Sequence, residues 1–567
     1  MKHLWPAQPV QVLHTTGSDF EIGRQHAEVL GDRVHAGMVG FYGDFWQRLL
    51  KNKPKSLVKN FTVSLLQKLI DPGLVNQLIK QVPDHARDRI LGVSVGSQLP
   101  FQKLLTPLVL PDLLPLLQAY AGRFGAVNFV DVSPPPLFGC SSFVHNGKKF
   151  LQARNLDFPG VGYWDRYPVI QMMAPKKTLR YIGFTTAGVP IAGITGVNEA
   201  QISVALHQHY CFETNLKGHL PFVIGEDILR RARNLEEALA ILRNYKVASS
   251  WAFVVADGKK RRAFIYETHP KAAGVRWLDE SNPTLTHSNF YQTSEPASLE
   301  YATTERMVWD NYSRSQRLKQ IIEKAGDRFD IAEAVKAISD HWDPYWDTEK
   351  IMNRTVSQIY NVQSVVWDLE NMKAYFAEGD APVQLGKYFE YDMGAIFAGH
   401  SGKTGRSFDG YVFQNDNRRK AKHYFIQSFV HSFEGKTSEA RSELTETLKH
   451  EDFAEVRLIS GLIAMKEGDY SCASEMFKTA KESIEQEKLR LKKEVFPPEY
   501  FEIWLYWARS LDLQGKREAA LKEYSGIEVH PDLKDTSIKK IVSQKKVYTR
   551  DKLDQIVMPY SSYLPFT

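Results

Sequence analysis

The feature that most constrains the fold is an abrupt change of sequence pattern at Cys140. Before it, apolar residues recur mostly at helical spacing. After it, Ser141–His145 and Lys149–Ala153 are typical of two short strands, and the Asn146-Gly147 pair between them is the strongest signal for a two-residue hairpin. The cysteine is therefore predicted to lie where a helical segment meets the first hairpin of a sheet.

The whole chain divides by the same kind of pattern. It has 567 residues, and at roughly 150 residues per domain this suggests two to four domains. We predict a helical N-terminal segment at 1–139 and a strand-rich catalytic domain at 140–400. Gly, Ser and Thr dominate the stretch that follows, so 401–416 is predicted to be a linker and 417–567 an all-helical domain.

The C-terminal region contains three related turns. Gly435, Gly468 and Gly515 each stand in a polar turn at the end of a helical pattern, at spacings of 33 and 47 residues. The first spacing is close to the roughly 34 residues of tetratricopeptide (TPR) repeats. We expect about three helix hairpins stacked as a short solenoid, for which partner binding, self-association and covering of a substrate entrance are all open roles.

Composition excludes several classes of function. The net charge of +6 is spread over the chain in short basic runs without interleaved aromatic residues, so no nucleic-acid surface is expected. The three cysteines, Cys140, Cys211 and Cys472, are far apart and odd in number, so no disulfide framework is expected. No CxxC pair and no His/Cys cluster suggests zinc, and we predict no metal and no organic cofactor.

Targeting signals are weak as well. The N-terminal residues lack the apolar core of a signal peptide. The most apolar stretch, 104–117, is interrupted by prolines and is shorter than the ~20 residues that span a bilayer. These observations predict a cytoplasmic protein without a transmembrane segment, or a periplasmic or secreted one if a presequence was removed.

Cys140 has the surroundings that a nucleophile needs. It follows a small residue, Gly139, and Arg154 and Asp157 follow one hairpin later. If the chain were cut before Cys140, its α-amine, with a reference pKa of roughly 7.7–8.0, would be a general base for its own thiol. The alternatives are a buried structural cysteine and a plain Arg–Asp ion pair. Because residues three apart on a strand face opposite sides, a bulge or turn is expected between Arg154 and Asp157.

This stretch resembles the cysteine-type N-terminal-nucleophile (Ntn) hydrolases, in particular the acyl-CoA:6-aminopenicillanate acyltransferase family. That family is related to choloylglycine hydrolase, penicillin V acylase and acid ceramidase. The resemblance covers most of residues 15–395, and the start from Gly17 through Glu21 and Gly23 to His26 is similar to the acyltransferase branch. It implies an α+β fold with a four-layer αββα sandwich, and a zymogen that cuts its own Gly139–Cys140 bond.

The resemblance also implies roles for further residues. Asp157 matches the residue that contacts the new α-amine, and Arg154 the one near the nucleophile. Asn289, within Thr286-His287-Ser288-Asn289-Phe290, matches a donor of the oxyanion hole, and its alternative is an Asx turn. Arg314, within Ser313-Arg314-Ser315, matches an arginine that supports the active centre, whereas Arg317 is expected to be a surface charge.

The sequence departs from the family at two places. Where relatives carry the Asn or Tyr of the oxyanion hole, this chain has His207 or Gln208, and Gln208 is the candidate donor because of its amide. Where relatives often carry Asn, it has Trp251. Phe158, Tyr163 and Trp164 follow the catalytic strand and are candidates, with His207, for binding an apolar acyl group; the alternative for the aromatic residues is the core.

These observations predict an enzyme that hydrolyses the C–N bond of an N-acyl linear amide through an acyl-thioester intermediate. Two alternatives remain open. The first is an acyltransferase that moves an acyl group from acyl-CoA or an amide to an amine. The second is a non-catalytic adaptor that binds partners through its helical repeats, and the departures at residues 207, 208 and 251 are its support.

Overall fold

The structure is a computed structural model that describes residues 6–42, 76–123, 139–211, 213–300, 304–556 and 558–560. Pro134-Pro135-Pro136, which the sequence places before the hairpin, lie outside these residues, as does part of the helical pattern before Cys140. Within the described ranges, no helix combines the length and the apolar character needed to cross a bilayer.

Two large sheets form the centre of the molecule. The first has eight strands in the order β1-β4-β5-β6-β7-β8-β9-β10, and the second has seven in the order β11-β2-β3-β14-β15-β16-β17. The strands are β1 Gln11–Gly17, β2 Ser141–Asn146, β3 Phe150–Asp157, β4 Pro168–Pro175, β5 Tyr181–Thr186, β6 Thr195–Asn198, β7 Ile202–Gln208, β8 Trp251–Asp257, β9 Arg262–His269, β10 Ala272–Trp277, β11 Thr284–His287, β12 Trp342–Asp343, β13 Thr348–Glu349, β14 Asn361–Asp368, β15 Lys373–Glu378, β16 Lys387–Asp392 and β17 Lys403–Asp409.

Helices cover both sheets and form the C-terminal region. They are α1 Asp19–Leu30, α2 Asn76–Ile79, α3 Asp84–Ser97, α4 Phe101–Arg123, α5 Pro221–Arg231, α6 Leu235–Asn244, α7 Ser294–Ala297, α8 Glu305–Ala325, α9 Ile331–Ile338, α10 Met393–Phe397, α11 Asp416–Phe433, α12 Thr437–His450, α13 Ala454–Glu467, α14 Tyr470–Arg490, α15 Pro498–Leu513, α16 Arg517–Glu528 and α17 Thr536–Gln544. A short π-helix, His35–Val39, follows α1.

The two sheets pack face to face, and each is covered by helices on its other face. Ile182 and Val254 of the first sheet share one apolar cluster with Val365 of the second, and the ring of Phe184 lies 5.6 Å from that of Trp367. The outer face of the second sheet packs on α8 and α9, and that of the first on α1, α3, α5 and α6. The structure thus combines several sheets with many helices, and the α+β class is confirmed.

The predicted hairpin is present at the start of the second sheet. β2 pairs antiparallel with β3, and Ser141 lies opposite Asn155 in the register. All eight residues of β3 are buried, including the polar ones. Buried polar side chains need hydrogen-bonding partners, so this strand indicates where a functional centre lies.

The N-terminal segment contains a strand that the sequence pattern did not predict. β1 lies at the edge of the first sheet and pairs in parallel with β4, from Gln11 opposite Val169 to Gly17 opposite Pro175. A parallel pair joins segments that are distant in sequence, so no local turn signal marks it. The segment 1–139 thus contributes a strand to the sheet as well as helices.

The stretch 401–416, predicted to be a linker, contains a strand of the second sheet. Residues Lys403–Asp409 form β17, which pairs antiparallel with β16 and ends the second sheet. All seven residues of β17 are exposed or half-buried, so the strand lacks the alternation of apolar and polar residues that marks a half-buried strand. The sheet therefore extends beyond residue 400, and α11 begins seven residues after β17, at Asp416.

The C-terminal region consists of three helix hairpins followed by α17. Gly435, Gly468 and Gly515 stand in the turns of the hairpins with φ values of 79°, 88° and 77°, a conformation that glycine adopts without strain. The first hairpin packs directly on the sheets: the ring of Phe429 in α11 lies 5.2 Å from that of Tyr360, just before β14. The helices and the sheets thus share a continuous apolar core.

Candidate active site

Cys140 lies immediately before β2 and is completely buried. The backbone N–H of Gly139 donates to the carbonyl of Asp157 (2.9 Å), which fixes the peptide segment before the cysteine against the end of β3. Nη2 of Arg154 lies 3.5 Å from the Cys140 sulfur. Burial raises the pKa of the thiol, and the positive charge of Arg154 acts in the opposite direction.

Arg154 is held in the middle of β3 by polar partners on the first sheet. Its guanidinium donates to the carbonyl of Leu206 (2.8 Å) and to the hydroxyl of Thr195. Burial lowers the pKa of Arg154, and the neighbouring Cys140 and Asp157 raise it. The side chain therefore spans the space between the sheets and places a fixed positive charge beside the sulfur.

Asp157 ends β3 close to the same cysteine. Its Oδ1 accepts a hydrogen bond from Nδ2 of Asn361 (2.7 Å), whereas Oδ2 is buried without a hydrogen-bond donor among the described residues. Burial raises the pKa of this carboxyl group to about 7, although Arg314 and Asn361 act against the shift. The bulge or turn expected between Arg154 and Asp157 does not occur in β3, which continues through both residues. The bulge lies instead on the neighbouring strand, where Val362 of β14 is out of register with β3.

Arg314 reaches the peptide bond before Cys140 from helix α8. Its Nη1 donates to the carbonyl of Cys140 (2.6 Å), to the hydroxyl of Ser141 (2.8 Å) and to the carbonyl of Gly139 (3.3 Å). Nε donates to Asp310 (2.8 Å), four residues earlier on the helix. The Gly139 carbonyl, which a cysteine at this position would attack, therefore has a cationic donor beside it.

Asn289 and Gln208 lie on the far side of Arg314. Oδ1 of Asn289 accepts from Arg314 Nη2 (3.3 Å), and its Nδ2 donates to the backbone carbonyl of Gln208 (2.7 Å). The side-chain amide of Gln208 instead donates to the carbonyl of Pro111 in α4 (2.7 Å). The structure thus brings Asn289 into the cluster and directs the amide of Gln208 towards α4.

His207 is also fully buried next to β2. Its Nε2 lies 2.6 Å from the hydroxyl of Ser142, and its ring lies 5.0 Å from the ring of His287 in an edge-to-face arrangement. Burial and the charge of Arg154 hold the pKa of His207 well below its usual value. A neutral imidazole here can hydrogen-bond to Ser142 of β2, and it adds no second positive charge beside Arg154.

The three aromatic candidates lie together. The ring of Phe158 is 5.9 Å from Trp164 and 5.0 Å from Phe41, which in turn is 5.8 Å from Tyr163. Phe158 and Trp164 are buried in the same apolar cluster as Cys140. Trp251, at the position of the second departure, donates through Nε1 to Asp112 of α4 (3.1 Å).

The sequence did not identify several partners of the cluster. Asp310, Asn311, Asn361 and Thr195 hold Arg314, Asp157 and Arg154 in place. Asp310 and Asn311 had a local signal, because residues three or four positions before an arginine on a helix lie beside it. Asn361 and Thr195 come from distant strands, so no spacing in the sequence points to them.

One group in the described part of the chain has donor atoms close enough for a metal ion. Atoms of Cys211, Glu213 and His269 lie within 4.8 Å of one another. Nδ1 of His269 accepts a hydrogen bond from the N–H of Lys271 (3.1 Å), so the proton of the neutral ring is on Nε2, which faces Glu213 at 3.4 Å. A metal ion in this group would need Nε2 without its proton. The geometry therefore favours a contact between His269 and Glu213 over metal binding.

Together these features define a class of site, a buried cysteine that lies immediately before β2 and between two arginines. One guanidinium is close to the sulfur, and the other donates to the carbonyl of the preceding residue. Residues 144–381 match the family of acyl-coenzyme A:6-aminopenicillanic acid acyl-transferase. The resemblance found in the sequence is thereby confirmed over these residues, and it indicates an enzyme of the acyltransferase and Ntn-hydrolase kind. The matched region includes Arg154, Asp157, Asn289 and Arg314 and begins just after Cys140. No curated protein matches the chain.

Proposed function

We propose that the protein is a self-processing Ntn enzyme that cuts its Gly139–Cys140 bond and then uses Cys140 to hydrolyse the amide bond of an N-acyl substrate. The observation that carries this proposal is the position of Arg314. Its Nη1 contacts the carbonyl oxygens on both sides of that bond, Gly139 at 3.3 Å and Cys140 at 2.6 Å. A structural cysteine has no need of this arrangement.

Self-cleavage begins with attack of the Cys140 sulfur on the Gly139 carbonyl carbon. The negative charge that develops on the Gly139 oxygen is stabilised by Arg314, since a fixed donor aimed at a developing oxyanion is the largest single contribution in acyl transfer. The C–N bond then breaks, and the Cys140 nitrogen takes up the thiol proton and becomes the α-amine. Water hydrolyses the resulting thioester, which leaves a Gly139 carboxylate and a free thiol.

Asp157 is suited to the proton transfers in these steps. Its pKa of about 7 places it near the operating pH of a general acid–base group, and it is close enough to Cys140 to perturb the pKa of the thiol. After cleavage, the new α-ammonium group would be a counter-charge for the carboxylate. Asp157 therefore moves from proton carrier in the precursor to partner of the amine in the mature enzyme.

In the mature enzyme the α-amine takes the proton of the Cys140 thiol, and the thiolate attacks the acyl donor. The resulting α-ammonium group returns the proton to the departing amine as the acyl-thioester forms. Arg154 stabilises the thiolate, and the side-chain amide of Asn289 is the proposed donor to the oxyanion. The backbone carbonyl of Gln208 accepts a hydrogen bond from the side-chain amide of Asn289 (2.7 Å) and so positions it. The side-chain amide of Gln208 would be an oxyanion donor only if it broke its hydrogen bond to Pro111. Phe158, Tyr163 and Trp164 are the proposed apolar surface for the acyl chain.

Acyl transfer is the second candidate, and the name of the matched family favours it. An acyl-thioester on Cys140 can pass its acyl group to an amine as well as to water, and acyl-CoA is a suitable donor. The hairpins α11–α16 are proposed to be TPR-like and to bind a protein partner or a second copy of the chain. An adaptor without catalysis remains the candidate if the chain is not cut.

The test is intact-mass spectrometry of the purified protein. Wild type is expected to give two fragments, one beginning at Cys140, whereas Cys140→Ala stays whole. Cys211→Ala, which removes another buried cysteine, is the matched control and should be cut like wild type. The cut enzyme is then given N-acyl amides and acyl-CoA with and without an amine acceptor, which separates hydrolysis from transfer. An uncut wild-type chain would overturn the proposal.

A further inference from the structure

The C-terminal helices contribute a buried carboxylate that is linked to the catalytic centre. Glu499 lies in the first turn of α15, and its two oxygens each accept a hydrogen bond from the guanidinium of Arg354 at 2.8 Å. Both side chains are about 1% exposed. A bidentate pair in a dry interior is geometrically specific, so the position of α15 determines the position of Arg354.

Arg354 in turn fixes the neighbour of Arg314. Its backbone N–H donates to Oδ1 of Asp310 (2.8 Å), and Oδ2 of Asp310 accepts from Nε of Arg314 (2.8 Å). The continuous path therefore runs from Glu499 through Arg354 and Asp310 to Arg314, and from there to the Gly139 carbonyl (3.3 Å). Every step is a hydrogen bond between groups that are buried.

The backbone at Arg354 needs support from its side chain. Asn353 and Arg354 have φ values of 61° and 45°, in the left-handed region that costs a non-glycine residue roughly 1–2 kcal/mol. Such a conformation persists only where surrounding contacts determine it, and Asp343 and Glu499 provide those contacts through the guanidinium. This conformation directs the N–H of Arg354 at Asp310.

We propose that Glu499 is a positioning residue of the catalytic centre, so that the C-terminal helical region completes the active site. This inference rests on the proposed function, because it assigns Glu499 the task of orienting Arg314 for attack on the Gly139 carbonyl. Glu499 acts through Arg354 and Asp310 and touches no reacting atom. The helical region is then required for the chemistry of the sheets, whatever else it binds.

The neighbouring carboxylate provides a matched control. Glu502 lies three residues later on α15, is equally buried and faces Arg306 of α8 at 3.5 Å. It therefore belongs to the same interface between α8 and α15, but its partner is Arg306, whereas the partner of Glu499 is Arg354. Burial raises the pKa of Glu502 to about 8, whereas Arg354 holds the pKa of Glu499 below its usual value. The two variants are therefore compared above pH 8, where replacing either carboxylate by glutamine removes one buried charge.

The experiment measures the rate of self-cleavage of the full chain after refolding or cell-free synthesis, together with the thermal midpoint. Glu499→Gln is expected to slow cleavage by about tenfold to a hundredfold, the effect of a small misplacement of a catalytic group, while Glu502→Gln cleaves at the wild-type rate. Both variants are expected to lower the midpoint.

A double-mutant comparison excludes a merely structural effect. Arg314→Lys keeps the charge but loses the fork that contacts Asp310 and Gly139, and it should slow cleavage on its own. If Glu499 acts through Arg314, adding Glu499→Gln to Arg314→Lys causes little further slowing, whereas independent effects multiply. If Glu499→Gln gives no soluble protein, Asp343→Asn replaces it, since Asp343 holds the same guanidinium.

The outcomes separate this inference from the proposed function. A wild-type chain that cuts itself, with Glu499→Gln cutting at the same rate, overturns the role of Glu499 and leaves the proposed function intact. Multiplicative slowing in the double variant, or equal slowing by Glu502→Gln, reduces Glu499 to a structural residue. An uncut wild-type chain overturns both.

Discussion

The interior around Cys140 and the interior of the C-terminal hairpins are built in different ways. The first contains Arg154, Asp157 and Arg314, each of which is buried and held by hydrogen bonds. The second alternates small and large apolar residues, as where Gly461 of α13 lies against the ring of Phe477 in α14. A polar interior depends on every partner being present, whereas an apolar interior depends on the fit of shapes. Substitutions in the first region should therefore affect chemistry. Those in the second should affect only stability, apart from Glu499, which is linked to the first region through Arg354.

The largest effect is expected from Arg314→Met. It leaves Asp310 buried without its guanidinium and removes the donor to Gly139, so self-cleavage should slow by about a hundredfold or more and the free energy of unfolding should fall by about 3–5 kcal/mol. Cleavage is followed by mass spectrometry, and stability is measured by urea unfolding in a Cys140→Ala background that stays whole.

Arg317→Met is the control for that substitution. Arg317 lies one turn further along α8 and pairs with Asp340 at 2.7 Å, with its side chain about 20% exposed. Its loss should cost less stability and leave self-cleavage at the wild-type rate. Equal slowing by both variants would mean that any buried charge on α8 matters equally, and the contrast between the two regions would lose its basis.

A smaller and pH-dependent effect is expected at Asp157. Burial raises its pKa to about 7, well above the usual value of 3.8. Between these pH values the unfolded chain has lost the proton that the folded chain retains, so the free energy of unfolding of the uncut chain falls as the pH rises, by a few kcal/mol in total. Asp157→Asn removes this titration.

The measurement is urea unfolding of Cys140→Ala, with and without Asp157→Asn, at several pH values from about 4 to 8. The two proteins are compared by the slope of the free energy of unfolding against pH. The absolute free energies are less informative, because they also include the effect of the new amide at position 157. Parallel pH profiles for the two proteins would show that Asp157 does not retain its proton, and its proposed part in proton transfer would be lost.

The smallest effect is expected in the helical region, from Gly461→Ala. A methyl group there would lie 2.5 Å from the ring of Phe477, so overpacking should lower the free energy of unfolding by about 1–3 kcal/mol without changing the rate of self-cleavage. Adding Phe477→Leu makes room and should recover part of the loss. A slower cleavage in Gly461→Ala alone would contradict the separation between the two regions.

The sequence predicted what local patterns encode. The hairpin at Asn146-Gly147 and the glycine turns of the C-terminal helices depend on neighbouring residues, and both occur in the structure. Arg154, Asp157 and Arg314 were found through motifs, and the structure brings them to Cys140. β1 and β17 were missed because one pairs in parallel over a long sequence distance and the other is an exposed edge strand.

Most hydrogen-bonding partners of the site could not be predicted from the sequence for the same reason. Glu499 and Arg354 are 145 residues apart, and nothing local to either one indicates that they form a pair. Gln208 has the chemistry of an oxyanion donor, but its amide is held by Pro111 from a distant helix. Long-range contacts of this kind depend on the fold. A sequence motif can therefore identify a functional residue without predicting which residues contact it.

The pairing of β1 with β4 has a consequence for a chain cut before Cys140. The two fragments would share one sheet, because seven residues of the first are paired with the second, and they would migrate together under native conditions. Unfolding would separate them, and refolding would then require two molecules to meet, so recovery would depend on concentration. The intact precursor folds as a single chain, whereas the cut protein would refold only when its two fragments associate. The lifetime of the mature protein would therefore depend on slow unfolding.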